Sequence, residues 1–147
     1  MQEPTNWKIW IKWMSISLGL VYIWFGALKF FPDLSPAEEL ASKTISILTF
    51  GFIGGRTSLI ILAVWEFLVG VTLVLNYHKR WNIGLGIAHI VGTFLPFVLL
   101  GSWCFGTEPL QLTIVGQYIF KNILFLVVFV MLWQVAKESE PAPTQHS

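Results

Sequence analysis

TSLIILAVWEFLVGVTLVLN, residues Thr57–Asn76, is a run of twenty residues with a single charged side chain, Glu66, at its middle. As a helix this run would be about 30 Å long, which is the thickness of a bilayer core. A carboxylate at that depth costs about 2.5–3.5 kcal/mol, so it must face protein, a partner charge or trapped water. The run therefore predicts a membrane span with a buried polar site beside it.

The composition of the rest of the chain places it in the same class. The protein has 147 residues, of which 55% are apolar and 12% charged, and its mean hydropathy is +0.70. Soluble domains carry about 25% charged residues. The net charge is +1 and the basic residues are scattered, which excludes a nucleic-acid surface. The only cysteine, Cys104, allows no internal disulfide or Cys-x-x-Cys relay, so redox chemistry would need a bound cofactor or another subunit.

Four long apolar runs predict an all-α fold, a four-transmembrane-helix bundle that forms a single membrane domain over residues 1–136. A kink is expected at Pro96, because proline removes a backbone hydrogen bond from the third run. The predicted spans are 13–31, 57–76, 82–101 and 117–136.

The segment between the first two spans predicts an extra helix. Ser35, Pro36 and Glu38 have the spacing of a capping box with proline at the first helical position. The helix that follows, within 35–52, is charged early and apolar late, so it is expected to be amphipathic and either interfacial or re-entrant. The end of the chain, 137–147, has nothing to bury and is predicted to be a disordered cytoplasmic tail.

Basic residues predict the orientation of the bundle. Four spans place both termini and the middle loop on one side of the membrane, and that side carries most of the basic residues. It collects Lys8, Lys12, Lys79, Arg80 and Lys137, against Lys43 and Arg56 on the other side. The positive-inside rule then predicts a cell (inner) membrane protein with both termini in the cytoplasm.

The same orientation predicts which buried charges meet. Side chains on a helix lean toward its N-terminus, so Lys29, near the end of the first span, leans toward Glu66, at the middle of the oppositely directed second span. We expect these two residues to form a buried ion pair. Asp33 is the other candidate partner of Lys29. Lys121, early in the fourth span, either reaches the headgroups or joins the pair.

Small residues at helical spacing predict the inward faces of the helices, for example Gly19 and Gly26 on the stripe that carries Lys29. His89 lies on such a face of the third span. No second histidine stands three or four residues away, which favours a hydrogen-bonded interior histidine over a haem or metal ligand, and no metal site is predicted. The ion pair could also serve only to stabilise the bundle, with no ligand. The spacing of the residues alone does not distinguish a structural role from a binding site.

Four motifs resemble the DoxX-like family of small four-helix membrane proteins: WFGALKFFPDLSPAEELA, AVWEFLVG, VGTFLPFVLL and GQYIFKNILFL. They lie in or beside all four spans. The resemblance directs attention to Thr93, Gln117 and Asn122 besides the charged residues, and His89 stands where a neutral residue such as Gln is expected. The predicted polar site comprises Lys29, Asp33, Glu66, His89, Thr93, Gln117, Lys121 and Asn122.

Some relatives in that family are subunits of membrane oxidoreductases, including thiosulfate-to-quinone transfer, or partners in thiol and oxidant defence. The resemblance implies a non-catalytic or quinone-adjacent subunit or anchor of such a system, with quinone as the candidate cofactor and a soluble or membrane redox partner. A homo-oligomer is an alternative assembly. A small-solute or proton-coupled carrier and a structural or assembly protein remain alternative functions. With no paired cysteines and no nucleotide motif, a self-sufficient oxidoreductase is not expected.

Overall fold

A computed structural model describes residues 6–35, 37–108 and 110–138. These residues form eight helices and no strand, which confirms the all-α prediction. Pro36 and the predicted tail beyond residue 138 lie outside the described residues. The helices are α1 (Asn6–Leu28), α2 (Glu38–Leu48), α3 (Gly55–Val74), α4 (Arg80–Gly92), α5 (Pro96–Leu99), α6 (Gly101–Cys104), α7 (Ile114–Phe120) and α8 (Asn122–Glu138).

Four stretches of the described chain are helical, long and apolar enough to cross a bilayer, as predicted, and the protein is a multi-pass membrane protein. Each boundary differs from its prediction by a few residues. The first span begins earlier because nothing in the aromatic and basic head interrupts a helix, and the last continues through Lys137 and Glu138, which were predicted to belong to the tail. The spans are Trp7–Leu28, Gly55–Val74, Arg80–Leu99 and Ile114–Glu138.

The third span is interrupted, and the fourth has a one-residue irregularity at Lys121, where the backbone stays helical. α4 ends at Gly92 and α5 begins at Pro96, so the predicted kink is a break of three residues directly before the proline. In the fourth span α7 and α8 meet at Lys121. The break and the irregularity are joined, because Asn122 Nδ2 donates a hydrogen bond of 3.0 Å to Thr93 Oγ1. Broken helices at membrane depth are tolerated where they are buried in protein or line a cavity.

α1 packs along α3 at van der Waals contact of their backbones. A Cβ added to Gly70 would lie 2.8 Å from Gly19 O, and one added to Gly19 would lie 2.7 Å from Gly70 O. Gly26 similarly lies against Ala63 and the Cβ of Glu66. The predicted small-residue stripes are therefore the inward faces of these two helices.

α2 is shorter than the predicted segment 35–52 and begins at Glu38. Half of the predicted capping box forms, since Ser35 N–H donates to Glu38 Oε1 at 3.1 Å. The other half does not, because the buried Ser35 hydroxyl has no hydrogen-bond partner among the described residues. With 11 residues α2 would extend about 16 Å and cannot span a bilayer. It packs on α3 and α5 and buries Leu40 and Thr44.

The end of α1 is capped from α3. After Leu28 the chain continues in tighter turns, with Lys29 N–H bonded to Gly26 O at 3.2 Å. Arg56 donates to Lys29 O at 2.9 Å and also to Phe30 O. A cation at the C-terminal end of a helix donates to carbonyl oxygens that have no partner within the helix, and it interacts favourably with the helix dipole. This contact fixes the position of Lys29 relative to α3.

Candidate functional site

The predicted ion pair is present. Lys29 Nζ lies 2.6 Å from Glu66 Oε2, and the side chains are only 7% and 8% exposed. Lys29 also donates to Phe25 O at 3.3 Å. Because the two helices run in opposite directions, both side chains converge from their own ends, as the sequence predicts.

His89 extends the Lys29–Glu66 ion pair to a cluster of three side chains. Its Nε2 lies 3.0 Å from Glu66 Oε1, so each oxygen of the carboxylate has a different partner. Its Nδ1 lies 2.9 Å from the hydroxyl of Tyr22. A carboxylate only accepts, so Nε2 carries the hydrogen, Nδ1 is the acceptor in the neutral ring, and Tyr22 donates to it. Tyr22, His89, Glu66 and Lys29 thus form one chain of exchangeable protons. The prediction of a hydrogen-bonded interior histidine is confirmed.

A cavity of about 400 Å³ lies against this cluster. Its walls come from α1, α2, α3, α4, α5 and the junction of α7 with α8, and most of the lining side chains are aliphatic or aromatic. α2 contributes Leu40, Ala41 and Thr44 to the cavity wall. The lining residues that carry polar groups are Tyr22, Lys29, Thr44, Trp65, Glu66, His89, Thr93, Tyr118, Lys121 and Asn122.

Lys121 lies in the wall of this cavity, at the junction of α7 and α8. Its ammonium is 4.0 Å from the ring centroid of Tyr118, 4.9 Å from that of Phe25 and 5.6 Å from that of Phe125. It does not join the ion pair. The sequence predicted that Lys121 either reaches the headgroups or joins the ion pair, and neither alternative describes its position fully. The side chain lies in the same cavity as the pair and contacts aromatic rings.

Thr93 and Asn122 belong to the same cavity, but Asp33 and Gln117 do not. α1 ends at Leu28, so Asp33 is not one helical turn beyond Lys29; it is exposed, and its N–H bonds to Glu38 Oε2 at 3.2 Å. Gln117 is exposed on the face of α7 opposite its buried residues, and it donates to Leu112 O at 3.2 Å. The structure thus brings together six of the eight predicted site residues.

Sequence reasoning missed two members of the site. Tyr22 stands on the glycine stripe seven residues before Lys29, and that spacing was the available signal. Trp65 precedes Glu66, lines the cavity, and has a buried indole N–H with no acceptor among the described residues. An indole places one donor at the edge of an apolar surface. Both side chains face ligand space and not only the packed core.

The arrangement suits a molecule with an apolar body and a polar head. The apolar walls exclude water, and the Tyr22–His89–Glu66 chain offers a route for protons at one wall. Within the described ranges no three His, Cys, Asp or Glu side chains cluster as metal ligands do. Cys104 is buried in a separate cluster with Leu40 and Ile119, and burial raises the pKa of its thiol, so the thiolate form is disfavoured.

Comparison with known proteins leaves the function to be argued from these contacts. No family model, no curated protein and no solved structure matches this chain.

Proposed function

We propose that the protein is a non-catalytic membrane subunit or anchor of a redox or oxidant-defence system, and that its cavity binds the ring-bearing head of a quinone. The observation that carries this proposal is the apolar cavity of about 400 Å³ with the Lys29–Glu66–His89 cluster in its wall. Small-molecule sites typically combine such apolar walls with a few convergent polar groups.

The size and the donors of the cavity favour this ligand class. Small-molecule pockets range over about 300–1,000 Å³, and this one lies near the lower limit, which suits a ring and not a long isoprenoid tail. Quinone oxygens are hydrogen-bond acceptors, and the Trp65 indole and the Lys121 ammonium are donors on the cavity wall. A membrane-soluble ligand can enter from the bilayer without crossing water.

The electrons in this proposal come from a partner protein. The chain has one cysteine and no nucleotide motif, so it supplies a binding site and proton contacts, and not the redox reaction itself. The resemblance of its motifs to the DoxX-like family supports the same role by analogy. We expect the protein in the cell membrane with both termini in the cytoplasm, bound to a soluble or membrane redox partner, with a homo-oligomer as the alternative assembly.

The test begins with purification in a mild detergent and extraction of bound lipid, followed by titration with a short-chain quinone. Ala41→Phe fills the cavity from α2, whereas Leu68→Phe places the same aromatic ring on an exposed surface. We expect wild type and the Leu68 variant to bind alike, and the Ala41 variant to bind at least about tenfold more weakly. Two results would refute the proposal. One is the absence of both extracted quinone and saturable binding, and the other is equal binding by the Ala41 and Leu68 variants.

A proton-coupled carrier is the second candidate, favoured by the proton chain of Tyr22, His89 and Glu66 beside the break in the third span. In proteoliposomes such a carrier would move solute with protons, and Glu66→Gln would abolish the flux. Flux equal to that of empty liposomes would eliminate this alternative.

A further inference from the structure

The charges on the cavity wall do not balance. Lys29 is neutralised by Glu66, and His89 is held by the second oxygen of the same carboxylate. Lys121 lines the same cavity, and in the described part of the chain it has neither a carboxylate within ion-pair distance nor a hydrogen-bond acceptor for its ammonium. One cation therefore faces ligand space without a counter-ion from the protein.

The aromatic rings around Lys121 compensate only part of that charge. Tyr118, Phe25 and Phe125 present their rings at 4.0, 4.9 and 5.6 Å, and ring faces attract an ammonium without accepting strong hydrogen bonds from it. Three N–H groups on one nitrogen remain available for an acceptor. The cavity also contains the buried N–H of Trp65, which has no acceptor among the described residues.

We infer that the cavity takes an amphipathic ligand with an acidic head, and that Lys121 is the residue that binds the head. The inference rests on the proposed function and deepens it, because it specifies the charge of the ligand and the residue that reads it. Two sources share this chemistry: a fatty acid, whose head is a carboxylate, and a quinone-type ring that carries an ionised hydroxyl. In both, a negatively charged oxygen contacts the ammonium, and the apolar body fills the part of the cavity that α2 and α3 line.

Matched acid and neutral ligands test the inference. Decanoate is compared with decanol, and a 3-hydroxy-1,4-naphthoquinone, which is ionised at neutral pH, with its 3-methyl counterpart. Wild type should bind the acid of at least one pair about tenfold more tightly than its neutral counterpart, as expected for a charge-assisted hydrogen bond. The pair that shows the preference identifies the source.

Lys121→Met should reduce that preference to about unity, weaken binding of the neutral ligand much less than binding of the acid, and leave thermal unfolding close to wild type. Lys121→Arg keeps the charge and should keep the preference. Lys43→Met is the matched control, because Lys43 also lies 4.0 Å over an aromatic ring, that of Trp103, but pairs with Glu39 outside the cavity.

The outcomes separate this inference from the proposed function. Neutral quinone binding with no acid preference, or a preference that survives in Lys121→Met because the side chain pairs with lipid headgroups, overturns the inference and leaves the quinone site standing. An acid preference that depends on Lys121, with no binding of the neutral quinone, supports the inference and rejects a neutral quinone as the ligand. Absence of binding by every ligand overturns both.

Discussion

The bundle has a packed half and a cavity half. In the packed half the helices touch through backbone and ring contacts, and the buried Ser15 hydroxyl is satisfied by the scaffold, because its Oγ donates to Leu73 O at 2.8 Å. In the cavity half polar side chains pair with one another, the third span is broken, and the Trp65 N–H has no acceptor among the described residues. The packed half includes Ser15, Gly19, Gly70, Ile83 and Phe129, and the cavity half Lys29, Trp65, Glu66, His89 and Lys121.

The difference indicates which polar residues serve the fold and which serve a ligand. The Ser15 hydroxyl bonds both to a helix carbonyl and to His78 Nε2, so its hydrogen-bonding capacity is used within the protein. Polar groups at a helix break beside the cavity keep donors or acceptors that have no partner. At membrane depth an unpaired polar group costs free energy unless a ligand bonds to it. Substitutions that remove a contact in one half and spare the other test this division.

Glu66→Leu alone should lower the free energy of unfolding by about 3–5 kcal/mol, because it leaves Lys29 as an unpaired buried charge. Adding Lys29→Met should recover most of the loss, since an apolar pair can replace a buried ion pair. His89 then lacks its acceptor, so about 1–3 kcal/mol should remain lost. Reversible unfolding in detergent mixtures measures both values.

The double variant also tests whether the ion pair only stabilises the fold. If the pair serves the fold alone, the double variant should retain wild-type ligand binding once it folds. We expect binding to be weakened, because two polar side chains of the cavity wall become apolar and His89 loses its acceptor.

Gly70→Ala should destabilise the packed half by about 1–3 kcal/mol, because its Cβ would lie 2.8 Å from Gly19 O and the two backbones must separate. The matched control is Gly92→Ala, where an added Cβ meets nothing within 4 Å. Its unfolding free energy should equal or slightly exceed that of wild type. Equal losses in both variants would contradict the close approach of α1 and α3.

Tyr22→Phe should cost about 1–2 kcal/mol, because it removes the donor to His89 Nδ1 and leaves that nitrogen without its partner. Nitrogen-15 NMR of the wild-type imidazole should show hydrogen on Nε2 and none on Nδ1. A ring with the hydrogen on Nδ1 would reverse the assigned direction of the proton chain.

The smallest effect is expected at His78, in the loop between α3 and α4. Burial holds its pKa below the usual 6.5, and its Nε2 lies 2.8 Å from Ser15 Oγ. A lowered pKa means that the fold favours the neutral ring, so this contribution is present above about pH 6.5 and is lost as pH falls toward the folded-state pKa. The difference in stability between wild type and His78→Gln should therefore shrink from pH 7.5 to pH 5; a constant difference would contradict the burial of the ring.

The sequence predicted the four spans and the Lys29–Glu66 pair well. It placed Asp33 and Gln117 in the site incorrectly, because it extended α1 beyond Leu28 and did not establish which face of α7 is buried. The predicted fourth span is confirmed as one helical stretch, Ile114–Glu138, with a one-residue irregularity at the junction of α7 and α8, Lys121. No proline or glycine stands at that junction, so no local signal marks it.

The number of spans and the existence of a buried ion pair follow from local properties, namely the length of apolar runs and the direction in which helical side chains lean. The contact of Tyr22 with His89, the place of Lys121 in the wall and the cavity itself depend on how the helices pack. A change of one residue in register turns each side chain by about 100° around its helix, so these contacts arise only when the rotation and depth of every helix are set by its neighbours.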